Sequence, residues 1–172
     1  MAHDYQLWLE YPGDLRPLRD FLFDACKCAT FWTGAMTRQK GKPDDLERVH
    51  YGVYNEYNLI ALHPGGISSA YKNNLKAKFT LNDPDRWDEW EKDVVEASIQ
   101  WLARTKGDAL LDLDELPILG RLGGGPVIVN DFSSQKDRPY VRAAKRPEYQ
   151  DFIVTTLQSA GLAYQKAPLP PI

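Results

Sequence analysis

The chain has 172 residues, the length of one ordinary domain, and can bury roughly 70% of its unfolded surface. With 43% hydrophobic, 12% aromatic and 26% charged residues it is neither a disordered chain nor a membrane-spanning one, since no apolar run approaches the length a bilayer requires. A formal charge of −3 argues against a general nucleic-acid binder, whose partner calls for a basic surface.

Met1 opens a mixed, strand-like pattern in place of a basic stretch followed by an apolar signal segment, so the expected location is cytoplasmic. His3 to Glu10 alternates with Tyr5, Leu7 and Leu9 on one side, which predicts a half-buried strand ended by Pro12-Gly13. Asp14 is placed to cap a helix with an apolar face of Leu15, Leu18, Phe21, Leu22 and Ala25, running to about Lys27 with Pro17 in its first turn. Ala29 to Thr37 is rich in strand formers, with Gly34 as a bulge candidate. A charged turn at Lys40 to Asp45 follows. Val49 to Leu62 then reads as two short strands in a hairpin, broken around Asn55 and Asn58.

After the Pro-Gly-Gly turn at Pro64, the alternation Leu75, Ala77, Phe79, Leu81 predicts another strand. Asn82 or Asp83 as cap, Pro84 at the first position and Asp85, Asp88 and Glu89 in the first turns predict a long helix. Its apolar face carries Trp87, Trp90, Val94, Ala97, Trp101 and Leu102, and Gly107 is its stop. Ala109 to Leu113, Leu116 to Leu122 and Pro126 to Val129 are three further strands closing an antiparallel sheet, the last two joined at Gly123-Gly124-Gly125. Pro147 starts a final helix through Tyr149, Phe152, Ile153 and Leu157 to Gly161, and residues 167–172 are expected to form a loosely packed tail. The sum is a single α+β domain over residues 1–172, an antiparallel sheet packed with two to three helices.

Motifs for chemistry are sparse. The glycine run at Gly120 to Gly125 leads into a strand, whereas a phosphate-binding turn leads into a helix, so it reads as a hairpin. His3, His50 and His63 are scattered, and Cys26 and Cys28, one residue apart, neither staple a fold nor form a second ligand pair; no metal or cofactor is expected. Ser68, Ser69, Ser133 and Ser134 sit in turn-like stretches without the nucleophile-elbow pattern. No catalytic residue is singled out. Trp87, Trp90 and Trp101 are read as core, because an aromatic platform for nucleic acid needs basic neighbours and this helix is acidic.

Charge distribution says more than the total. Asp83 to Glu115 holds eleven acids against four bases, and Lys136 to Ile172 holds six bases against three acids. The basic group Lys136, Arg138, Arg142, Lys145 and Arg146 reads as a solvated turn leading into the last helix. An acidic face suits a basic protein partner.

Three segments carry a family resemblance: the opening Met1-Ala2-His3-Asp4-Tyr5-Gln6-Leu7-Trp8-Leu9; the strand Ala77 to Leu81 leading into a Trp-containing helix; and Gly107-Asp108-Ala109-Leu110-Leu111 with Leu116 to Leu122, the glycine turn and Val127-Ile128-Val129-Asn130. Together, over about half the chain, they resemble the immunity proteins of the myxobacterial Sit toxin–immunity system. Asp112-Leu113-Asp114-Glu115 departs from the aromatic-Asn-Gly type of turn expected there, and Asp131 to Arg146 has no counterpart. The resembling motifs are structural, so no binding residue is carried over.

The resemblance implies a cytoplasmic, non-enzymatic protein that binds a cognate toxin and neutralises it by occlusion. The contact is expected on the acidic helix side at Asp88, Glu89 and Glu96 and on the turn at Asp112, Asp114 and Glu115, where acids would steer a basic toxin. Two alternatives stand beside it: an enzyme whose pocket gathers dispersed residues such as His50 and His63, and a nucleic-acid adaptor using Arg138 to Arg146. A deep pocket of converging polar groups would favour the enzyme, and a smooth charged face the binder. Oligomeric state is left open.

Overall fold

Alternating side chains at the amino terminus build the strand that ends up in the middle of the protein. The computed structural model describes residues 3–11, 13, 15–26, 30–34, 50–54, 59–64, 70–81, 85 and 87–172. Strand β1 (His3–Leu9) pairs antiparallel on one side with β5 (Leu75–Leu81) and on the other with β6 (Ala109–Leu113). Outward from β5 lie β4 (Leu59–Pro64), β3 (His50–Tyr54) and β2 (Thr30–Gly34); outward from β6 lie β7 (Leu116–Arg121), β8 (Val127–Asn130) and β9 (Tyr164–Ala167). Among the described residues this makes one nine-stranded sheet, β2-β3-β4-β5-β1-β6-β7-β8-β9. It is antiparallel except for β8 and β9, which run parallel, so the fold is α+β with a mixed, mostly antiparallel sheet.

Four helices are described: α1 (Leu15–Ala25), α2 (Trp87–Arg104), α3 (Pro139–Lys145) and α4 (Pro147–Ser159). Because β5 and β6 flank β1, the chain between them must cross β1, and α2 is that crossing. The parallel pair β8 and β9 likewise needs a crossover, supplied by α3 and α4. Tyr5, Leu7 and Leu9 of β1, the buried alternate residues of β5, and Trp90, Val94, Val95, Ile99 and Leu102 of α2 form the main core with Ile153 and Leu157 of α4. Trp101 closes it by packing its ring 5.3 Å from Phe21 of α1 and 5.8 Å from Tyr11. Arg121 anchors the far end of α2, donating to the carbonyls of Leu102 and Gly107 and to Thr105 Oγ1, which satisfies groups a helix terminus leaves open.

The opposite face of the sheet is covered too. Trp8, Tyr71, Leu110 and Leu169 form a second, smaller apolar cluster there. This corrects the expectation of a loose tail. Ala167 closes β9, and Leu169, 8% exposed, donates its N–H to Asn130 Oδ1 at 2.9 Å; the Pro170 carbonyl accepts from the Tyr71 hydroxyl at 3.0 Å. The β8 strand is therefore not the sheet edge. The segment read as a solvated turn before the last helix is itself partly helix α3, held by buried Val141 and Ala144. Helix α2 ends at Arg104, short of Gly107. The helix caps Asp14, Asn82 and Asp83 with Pro84, the turns at 40–45 and 65–66, Ser68 and Ser69, and Cys28 lie outside the described residues.

Candidate functional site

Crossing β1 fixes what α2 presents at each of its ends. Its first turn lies where β1 begins, because Leu81 pairs with His3 and Trp87 donates its indole N–H to the Leu81 carbonyl at 3.2 Å. The β6–β7 turn is at the same end, since Leu113 lies beside Tyr5 and Asp114 donates its N–H to the Asp4 carbonyl. Asp88 and Glu89 on α2 and Glu115 in the turn are exposed, and Asp114 is half-buried, so one end of the molecule collects these acids. Glu96 is also exposed but sits two turns further along α2.

Asp112 does not belong to that surface. It is fully buried on β6, where alternation aims it at the face away from the helices, and its carboxylate accepts from Trp8 Nε1 at 2.6 Å and from the Glu115 N–H at 3.0 Å. The expectation of a partner-contacting Asp112 is therefore corrected: the residue braces the turn from inside. Burial, opposed by those two hydrogen bonds, pushes its pKa up to about 6.

The turn carries strain. Asp114 and Glu115 have φ of 47° and 68°, the left-handed region that two-residue hairpin turns require and that glycine and asparagine tolerate best. A glutamate there costs stability. Tyr140 of α3 hydrogen-bonds Asp114, and the nearby carboxylate raises its pKa. Helix α3 thus bridges the acidic turn to the next feature.

That feature is a cleft of about 400 Å³ between α2 and α4. It is lined by the acidic residues Asp88, Glu91, Glu148 and Asp151, by Lys92 and Arg146, and by Tyr149, Phe152 and Thr155. Glu91, its side chain only 16% exposed, lies 3.4 Å from Arg146 Nη2 and hydrogen-bonds Tyr5. The Tyr5 and Tyr149 hydroxyls are 2.9 Å apart in the core beneath it. An ionised carboxylate only accepts, so Tyr5 donates to Glu91 and Tyr149 donates to Tyr5. Burial raises the Glu91 pKa, and burial together with the neighbouring carboxylate raises both tyrosines, which keeps them protonated hydrogen-bond donors at neutral pH.

Sequence reasoning missed Glu91, Tyr149 and Tyr5 as a group. A signal existed for Glu91, which lies four residues after Trp87 and three before Val94, on the apolar stripe of α2 and off its solvated face. Tyr149 comes from the crossover before β9, and nothing local announces that it meets Tyr5.

Other candidates resolve into structure. Gly123 and Gly124 form the hairpin turn at φ of 60° and 70°, and the Gly123 N–H is donated to Asp108 Oδ1 at 2.7 Å, the kind of amide a phosphate would need. Trp90 and Trp101 are core, and Trp87 is half-buried. In the basic segment, Arg142 pairs with Asp137 and Arg146 with Glu91. Cys26 is buried, and the side chains of His3, His50 and His63 lie outside the described residues. Among the described residues no three His, Cys, Asp or Glu side chains converge as metal ligands, and no helix is long and apolar enough to cross a membrane. Comparison of the chain with protein-family models, curated proteins and solved structures finds no match.

Proposed function

We propose that the chain is a cytoplasmic immunity-type protein that binds a basic protein toxin and neutralises it by occlusion, without chemistry of its own. The observation that carries this reading is the gathering of Asp88, Glu89, Asp114 and Glu115 at one end of the sheet, beside a cleft with further carboxylates at its rim. Occlusion needs only a complementary patch, about 800 Å² on each partner. Charges in such a patch act chiefly on the association rate and on partner choice. The strained Glu115 supports it: a glycine would relieve the turn, and an acidic side chain kept at a conformational cost is what a contact residue looks like.

A second reading draws on the recessed Tyr149, Tyr5 and Glu91 chain, which has the converging polar groups of an acid–base enzyme. The binder is preferred because burial holds both tyrosines protonated, so neither serves as a base at neutral pH. The test is to express the chain with the product of a toxin-like reading frame beside its own. Co-purification together with loss of the toxin's activity supports the proposal. A toxin that stays fully active, with no complex at micromolar concentrations, overturns it.

A further inference from the structure

The α2–α4 cleft differs from an acidic surface in three ways. It is concave, its lining includes the aromatic residues Tyr149 and Phe152, and a guanidinium of this chain already reaches its most buried carboxylate. Arg146 shows by its own position what chemistry Glu91 holds. At 3.4 Å, through Nη2 alone and with 43% of its side chain exposed, Arg146 makes a long, single-atom contact with Glu91. The four carboxyl groups of the lining outnumber its two cations, so the cleft keeps an excess of negative charge when all are ionised. Those carboxylates do not converge as metal ligands. An organic cation with an apolar stem matches both features: charge for the carboxylates and methylenes or a planar guanidinium for the rings.

We propose that the cleft seats one basic side chain, lysine or arginine, of the partner protein, its stem against Phe152 and Tyr149 and its charged end shared among Glu91, Asp88 and Asp151. This names an anchor for the toxin-binding reading and rests on that reading only for where the side chain comes from. The volume of about 400 Å³ falls in the range of small-ligand sites. A lysine or arginine seated in the cleft supplies specificity that the exposed acids cannot, because a neutral residue leaves Glu91 facing only Arg146 and Tyr5.

The site is tested without any toxin. N-acetyl-arginine amide and N-acetyl-lysine amide are titrated into the full chain and followed by backbone amide NMR, with N-acetyl-citrulline amide as the uncharged isostere. Saturable shifts confined to residues around Glu91, Tyr149 and Phe152, absent with citrulline and weakened at least fivefold by both Glu91→Gln and the exposed Asp151→Asn, are expected. Unchanged core amides at Leu111 and Leu119 report that each variant is folded. Equal shifts with citrulline, no saturable shift with either basic probe, or affinities unaffected by both variants overturn the proposal. Probes that bind to a chain that fails to capture the toxin leave the cleft standing and remove the toxin reading; capture of the toxin without probe binding does the reverse.

Discussion

Trp8 and Asp112 meet across neighbouring strands on the face of the sheet away from the helices, the indole N–H donating to Oδ2 at 2.6 Å. Asp112 uses its other oxygen to accept the Glu115 N–H, so one buried carboxylate links the second apolar cluster to the strained turn.

This link titrates. Burial raises the Asp112 pKa to about 6, above the roughly 3.9 of an unfolded aspartate, so the folded state holds an extra proton between those values. The stability tied to that proton is complete below about pH 4 and is lost as pH rises through about 6. In urea unfolding, the stability of the parent relative to Asp112→Asn should fall by about 2 kcal/mol between pH 4 and pH 7. The Trp8 indole N–H resonance should titrate with the same midpoint. A pH-independent difference would show that Asp112 ionises as an ordinary carboxyl.

The turn predicts a trade between stability and binding. Glu115→Gly removes the left-handed strain at φ of 68° and should stabilise the fold by about 1 kcal/mol in chemical denaturation. Under the proposed function, the same variant should associate more slowly with its toxin partner. Stabilisation without any kinetic change would take Glu115 out of the contact.

Asn130 clamps the carboxy-terminal segment. Fully buried, it donates to the Pro117 carbonyl at 2.7 Å and accepts from the Leu169 N–H, tying β7 to the chain beyond β9. Asn130→Ala leaves both groups unpartnered and should cost about 2–4 kcal/mol. Hydrogen exchange at the Leu169 amide should accelerate. Unaltered exchange there would mean that the segment is held by Leu169 packing alone.

Much of the fold was legible because local patterns and tertiary surroundings agree. Period-two alternation in β5 and helical spacing of the α2 tryptophans each match a single buried face, and Tyr5, Leu7 and Leu9 of β1 share the main core. What escaped has physical reasons. Helix α3 is two turns long with only Val141 and Ala144 buried, too short for its periodicity to stand out. Strand β9 is an edge strand whose middle residues Gln165 and Lys166 are exposed, so no apolar alternation marks it. Asp112 sits in an acidic run that reads as a solvated turn, yet the strand continues through it with both faces covered. The tyrosine pair beneath Glu91 joins residues 144 positions apart, which no local spacing encodes.

In the proposed function, the acidic end of the molecule recruits a basic partner. The most direct test is stopped-flow association of the chain with the product of a toxin-like reading frame beside its own, the partner the proposed function requires, comparing the parent with a variant reversed in charge at Asp88, Glu89, Glu96, Asp114 and Glu115, over a series of salt concentrations. Association should slow by about tenfold or more at low salt, and its salt dependence should flatten. Rates and salt slopes equal to those of the parent would contradict the account.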